Sequence, residues 1–171
     1  MKLDSAEIKN NILTFTLKDS NVKFANLLRR TIMSNISILA INKVTFYDNS
    51  STLFDEYIAH RIGLVPLVTP AKDSKEEYMF VLDEKGPKKV YSGDLKPVDH
   101  SITPAIEDIP IITLLEDQSL RLEAKAVSGL GKTHAKFQAG FSTYNINDKT
   151  GDIKFKVVSF HQMPAKELVS R

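Results

Sequence analysis

The sequence of 171 residues contains no cysteine. This absence excludes disulfides, thiolate nucleophiles, cysteine-ligated iron–sulfur clusters and zinc sites that use cysteine. A long apolar run is also lacking, since the longest, residues 36–41, is far too short to span a bilayer. The N-terminus, MKLDSAEIKN, is charged every few residues and has the pattern of neither a signal peptide nor a membrane anchor. We therefore expect a cytoplasmic protein.

Charge of one sign is lacking as well. The chain has 23 basic and 21 acidic residues, for a formal net charge of +2. Such a balance does not by itself indicate nucleic-acid or membrane binding, so any contact with DNA must be local. The 42% hydrophobic and 26% charged residues are typical of a soluble globular protein. The chain is long enough to bury a core without disulfides or metals.

Alternating apolar residues at the N-terminus predict a β-hairpin, with strands at residues 2–8 and 12–17. The next segment, residues 19–21, offers side chains that cap helices. Apolar residues at helical spacing then predict a helix of about four turns from Phe24 to Leu39. Arg29 and Arg30 project away from the middle of its apolar stripe.

A second, shorter helix is predicted from Leu53 to Ile62, because apolar residues recur at helical spacing and Gly63 and Pro66 follow. A short third helix is predicted after Pro164. Residues 69–110 are rich in Lys, Asp, Gly and Pro, which predicts loops and short strands. The predicted strands in this part of the chain are residues 44–46, 78–82, 111–115, 120–127 and 152–160.

The most conspicuous catalytic motif is residues 126–133, AVSGLGKT, which satisfies a relaxed phosphate-loop pattern. A phosphate loop requires a helix that begins at the Lys-Thr pair, so that its amides meet the phosphates. Residues 134–140 lack a helical stripe, and Ala126 stands where the first glycine belongs. A plain loop between strands is the favoured interpretation. A nucleotide-dependent enzyme that uses residues 131–133 is the alternative, and added ATP or GTP would then raise the melting temperature.

Metal-ligand spacing is missing among the four histidines, at positions 60, 100, 134 and 161. The pairs Asp55-Glu56 and His60-Arg61 lie one helical turn apart. An acid–base cluster is one interpretation, and a solvated or interfacial ion-pair face is the favoured one. The basic run at residues 85–89 contains Gly-Pro and is interpreted as a solvated turn. Charged residues beside the apolar Tyr57 and Ile58 favour a protein–protein interface over an enzyme.

Two segments of this sequence resemble a known family. Residues 24–32, FANLLRRTI, and residues 55–67, DEYIAHRIGLVPL, are similar to the signature of the archaeal Rpo3 family of RNA polymerase subunits. Eukaryotic third-largest subunits and, more distantly, the bacterial alpha subunit share this plan. Residues 132–138, KTHAKFQ, are similar to the HAKW-type segment of the family.

The resemblance implies an α+β fold in which a dimerisation domain, an antiparallel sheet plus helices, is interrupted by a mainly β insert domain. We expect the dimerisation domain at residues 1–40 and 152–171, and the insert at 41–151. The implied function is a noncatalytic assembly platform of archaeal DNA-directed RNA polymerase. It would heterodimerise with the small alpha-like subunit L and recruit the second-largest catalytic subunit, with subunits N and P nearby.

The resemblance and the helical pattern together predict contact residues but no catalytic residue and no cofactor. The predicted contacts are Phe24, Asn26, Leu27, Leu28, Arg29, Arg30, Ile32, Asp55, Glu56, His60 and Arg61. Many members of the family carry a cysteine-rich iron–sulfur domain near the position of Gly140, and this chain has no such domain. The family also continues beyond Lys166 into a long dimerisation helix. The alternative function is an alpha-like homodimer that touches DNA or a regulator, which would need a basic appendage.

Overall fold

A computed structural model describes residues 2–70, 77–98 and 102–171. The chain divides into two compact units. The terminal unit comprises Met1–Ile38 and Leu130–Arg171, and the central unit comprises Leu39–Gly129. In chain order, the helices and strands are β1 Lys2–Lys9, β2 Ile12–Lys18, α1 Val22–Ser34, β3 Ser37–Asn49, α2 Asp55–Gly63, β4 Tyr78–Lys85, β5 Lys88–Tyr91, β6 Lys96–Pro97, β7 Pro110–Leu114, β8 Ser119–Leu130, β9 Gly140–Ile146, β10 Ile153–Ser159 and α3 Ala165–Ser170.

The terminal unit is built on a four-stranded antiparallel sheet in the order β1-β2-β10-β9. The predicted hairpin is confirmed as β1 and β2. Alternate residues of β2 and β10 point to one face, where Phe15 stacks on Phe155 with ring centroids 5.0 Å apart. This face is the core of the unit, and Lys154 and Lys156 occupy the opposite, exposed face.

Helix α1 begins where the sequence predicts and ends earlier. The Asn21 side chain accepts a hydrogen bond from the Phe24 amide at 2.8 Å, which caps the first turn. The predicted continuation to Leu39 is wrong, because β3 starts at Ser37. Residues 38–41 are all buried, and a short apolar run buried on both faces has the same pattern in a strand as in a helix.

The central unit contains a four-stranded sheet, β3-β8-β4-β6, and a two-stranded sheet, β5-β7. Strands β4 and β8 pair in antiparallel register, with Leu82 opposite Leu122. Helix α2, predicted from sequence, buries Ile58 and Ile62 in the core of this unit. Together the two units confirm an α+β fold that is rich in antiparallel strands.

The return of the chain to the terminal unit differs from the predicted boundary at residue 152. It occurs at Leu130, because β9 pairs with β10 along seven residues. The sequence pattern predicted no strand at β9. Its buried positions include Gly140 and Ser142, which are too small and polar to show the apolar alternation of a strand. The irregular region predicted at residues 69–110 contains β4, β5 and β6, and its residues 71–76 and 99–101 lie outside the described part.

Candidate partner-binding surfaces

The terminal unit has an open apolar groove of about 580 Å³ on the core face of its sheet. Strands β1 and β2 form the floor, while α1 and α3 contribute the walls. The residues that line it are Leu3, Ala6, Ile8, Leu13, Phe15, Leu17, Phe24, Leu28, Lys166, Val169 and Ser170. Leu3 and Ile8 are 63% and 57% exposed, so this side of the sheet is left uncovered within the chain.

A bulge in β1 explains how three of its residues reach the groove. The pairing of β1 with β2 shifts by one residue between Leu3 and Ser5. In a regular strand, Leu3 and Ala6 would point to opposite faces, because side chains alternate. The bulge resets the alternation, so that Leu3, Ala6 and Ile8 all line the groove. The predicted contacts did not include these residues.

The predicted apolar contacts on α1 fall into two groups. Phe24 and Leu28 line the groove, and Leu27 is 63% exposed beside them. Ile32 is different, since only 1% of it is accessible. It belongs to the core of the terminal unit, so the prediction that Ile32 contacts a partner is corrected.

The two consecutive arginines of α1 have different surroundings. Arg29 is half-buried and donates from Nε and Nη2 to the Asn26 Oδ1 atom, at 3.3 and 3.0 Å. Asn26 and Arg29 therefore fix each other along the helix. Arg30 is exposed, and within the described part of the chain its guanidinium has no hydrogen bond or ion pair. Of the two, Arg30 is the one available to a partner.

The central unit presents a second surface, on α2. Ile58 and Ile62 face its core, while Phe54, Tyr57 and Leu64 are exposed on the outer side. Phe54, which precedes the helix, is 82% exposed. An exposed aromatic pair at helical spacing is unusual for a surface in contact with water alone and typical of a protein interface.

The charged residues of α2 do not form the predicted ion pairs. No salt bridge joins Asp55 or Glu56 to His60 or Arg61 in the residues that the structure describes. Asp55 instead accepts a hydrogen bond from Asn49 Nδ2 at 2.7 Å. Glu56 and His60 are exposed.

Arg61 is occupied inside the central unit. Its Nη2 atom donates to the carbonyl oxygen of Pro110, which starts β7, and its Nε atom is buried without a hydrogen-bond partner. The side chain therefore ties α2 to β7. This correction separates Arg61 from the exposed predicted contacts.

The loop that mimics a phosphate loop has a structural reason for its glycine. Strand β8 extends to Leu130, and the described chain then forms a 3-10 turn at Ala135–Phe137, with no α-helix at the Lys-Thr pair. The Lys132 amide donates to the Ser34 carbonyl oxygen at 3.0 Å, at the C-terminal end of α1. A Cβ atom on Gly131 would overlap the Met33 carbonyl oxygen. Close approach to α1 therefore requires glycine here.

The HAKF segment that follows is partly buried. Burial lowers the pKa of Lys136, whose Nζ atom lies 5.2 Å from the centroid of the Phe137 ring. Among the described residues, no group of three or more His, Asp or Glu side chains is arranged to hold a metal ion. His100, one of the four histidines considered above, lies outside them. No helix in the described part is both long and apolar enough to cross a membrane.

Comparison with known proteins matches these features to one family. The model of the RNA polymerase Rpb3/RpoA insert domain matches residues 36–143. DNA-directed RNA polymerase subunit Rpo3 of Pyrococcus furiosus is 45% identical over 146 residues, which cover 81% of this chain and 56% of the relative. The Rpo3 subunit of Halobacterium salinarum is 46% identical over 127 residues, covering 74% of this chain and 51% of the relative.

A third relative is covered more fully. The Rpo3 subunit of Methanocaldococcus jannaschii is 38% identical over 156 residues, which cover 91% of this chain and 79% of the relative. The chain thus spans about half the length of the first two relatives and most of the third. Both the insert-domain match and these identities lead to one conclusion: the chain belongs to the Rpo3 family of archaeal DNA-directed RNA polymerase subunits.

Proposed function

We propose that this chain is a noncatalytic subunit of a DNA-directed RNA polymerase in the archaeal cytoplasm, where it acts as an assembly platform. The observation that carries the proposal is the match of most of the chain to Rpo3 subunits, whose name places them in that polymerase. In this proposal the chemistry of nucleotide transfer belongs to other subunits. The chain contributes surfaces that hold them.

The terminal unit is proposed as the dimerisation domain. Its apolar groove and the exposed Leu27 leave uncovered a surface that a soluble protein normally buries against a partner. The proposed partner is the small alpha-like subunit L, with Phe24, Leu27 and Leu28 as its apolar contacts. A homodimer is the alternative occupant.

The second proposed contact recruits the second-largest catalytic subunit, with the small subunits N and P nearby. It is supported by the exposed Arg30 on α1 and by the exposed Phe54, Tyr57, Glu56 and His60 at α2. An exposed arginine with no partner in its own chain is a frequent centre of binding energy at protein interfaces.

Purification from the native host tests the proposal as a whole. A tagged copy of the chain should bring down a small alpha-like subunit and the large polymerase subunits, identified by mass spectrometry. Recovery of the chain without any polymerase subunit would sink the proposed function.

Arg30→Ala should weaken recruitment of the second-largest subunit, by about 2–5 kcal/mol if the arginine faces a buried carboxylate in the complex. The melting temperature should change little, because Arg30 is exposed and without a partner in its own chain. The measurement is a pull-down of the large subunit by wild-type and variant protein, with melting followed by circular dichroism.

Arg61→Ala is the matched control. It removes the bond to the Pro110 carbonyl, so it should lower the free energy of unfolding by about 1–2 kcal/mol. If Arg30→Ala melts early while recruiting normally, Arg30 has an internal structural role and the proposed contact is wrong.

A further inference from the structure

The near-neutral charge of the chain conceals a strong segregation. The terminal unit has 13 basic and 6 acidic residues, for a formal charge of +7. The central unit has 10 basic and 15 acidic residues, for a formal charge of −5. The surface that carries the apolar groove therefore belongs to a distinctly basic unit.

The basic character is most pronounced along the helix beside the groove. Helix α1 contains Lys23, Arg29 and Arg30 and no carboxylate. Lys23, Leu27 and Arg30 follow each other at spacings of four and three residues, so the exposed leucine lies between two cations on one row of the helix. Lys166 of α3 lines the groove itself.

These cations are not neutralised within the chain. Lys23, Arg29, Arg30 and Lys166 form no ion pair with a carboxylate in the part of the chain that the structure describes. By contrast, Lys18 on the neighbouring strand is paired with Asp4 at 3.0 Å. The groove is thus an apolar surface with unpaired positive charge beside it.

We propose that this groove selects an amphipathic helix whose apolar stripe is flanked by carboxylates, and that it discriminates against a second copy of this chain. The inference rests on the proposed dimerisation function and adds the chemistry of the partner. Apolar burial supplies affinity for any such helix, whereas the flanking charges determine which helix is accepted.

A second copy fits the groove poorly for the same reason. Two copies of α1 packed side by side would bring Lys23, Arg29 and Arg30 of one copy near the same cations of the other. Like charges at an interface are unfavourable, and no acidic residue of α1 relieves them. Two terminal units of formal charge +7 also repel each other at longer range.

The test uses the full chain and two synthetic helical peptides with the same leucine stripe. One peptide has Glu at the flanking positions and the other has Lys, and their helix content is matched by circular dichroism. Fluorescence anisotropy measures binding. We expect the Glu-flanked peptide to bind about tenfold more tightly or better at about 0.1 M salt, and the preference to shrink at about 1 M salt, where screening is stronger.

Two double variants separate local from global charge. Lys23→Glu with Lys166→Glu should abolish or reverse the preference. Lys154→Glu with Lys156→Glu changes the net charge by the same amount on the opposite face of the sheet and should largely preserve it. Arg30 is left intact in both variants, because a different contact is proposed for it.

Several results would overturn the inference. These are equal binding of the two peptides, binding of neither, an equal effect of the two double variants, or tight self-association of the chain at low salt by sedimentation. Each is independent of whether the chain copurifies with polymerase subunits. Failure of the charge preference is therefore distinguishable from failure of the proposed function.

Discussion

Phe155→Ala is expected to lower the free energy of unfolding of the terminal unit by about 3–5 kcal/mol, the usual range for removing a large buried aromatic side chain. Phe155 is fully buried in the middle of β10, stacked on Phe15 and 5.5 Å from the ring of Tyr144. Its removal leaves a cavity between three strands that pleated backbone cannot close. Chemical denaturation followed by circular dichroism measures the loss.

Phe54→Ala is the matched control for this prediction. The same ring is removed from a position that is 82% exposed, so stability should change by no more than about 0.5 kcal/mol. The control carries a second readout, since Phe54 belongs to the proposed contact surface on α2. A loss for Phe155→Ala no larger than that of the control would contradict the register of β10 between β2 and β9.

Gly86→Ala should also be strongly destabilising, by about 2–5 kcal/mol, through overpacking and the loss of a backbone hydrogen bond. An added Cβ would overlap the Leu115 carbonyl oxygen and lie 2.8 Å from the Leu115 carbonyl carbon. The Gly86 amide meanwhile donates to the Gln118 carbonyl oxygen at 2.8 Å, which holds the chain in place. Backbone has to shift on one side or the other, because neither neighbour is a flexible side chain.

Gly63→Ala gives the comparison within the same unit. A Cβ there meets the Ile41 carbonyl oxygen at 3.5 Å, an ordinary contact, at the last residue of α2. Alanine in a helix is preferred over glycine by up to about 1 kcal/mol, so this variant should be neutral or slightly stabilised. Thermal melting of both glycine variants decides the matter, and equal melting temperatures would show that the strand ends around Gly86 yield readily to an added methyl group.

Local pattern was sufficient for much of the fold. The N-terminal hairpin, the Asn21 cap, α2 and the strands β4, β7, β8 and β10 were all predicted within a few residues. Each has either strict alternation or a helical stripe, together with turn or capping residues at its ends. The family resemblance also rested on contiguous residues, and comparison with known proteins confirmed it.

Local pattern was insufficient where packing overrides it. The run at residues 36–41 reads equally as helix or strand, and only burial on both faces makes it β3. Strand β9 is held by seven paired positions on β10 despite the small residues at its buried positions. The role of Arg61 depended on the carbonyl of Pro110, which is 49 residues away in the sequence.

Residue identity and short-range periodicity were enough to establish the family, the α+β class and the absence of cysteine chemistry. Three-dimensional packing, in contrast, set which predicted contacts are accessible. It buried Ile32, occupied Arg29 and Arg61, and left Arg30 exposed. It also assembled the groove from β1, β2, α1 and α3, of which α3 lies more than a hundred positions from the others, and segregated a net charge of +2 into one basic and one acidic unit. Accessibility and charge distribution are properties of which segments meet in space, and pairings between distant segments leave no local pattern in the chain.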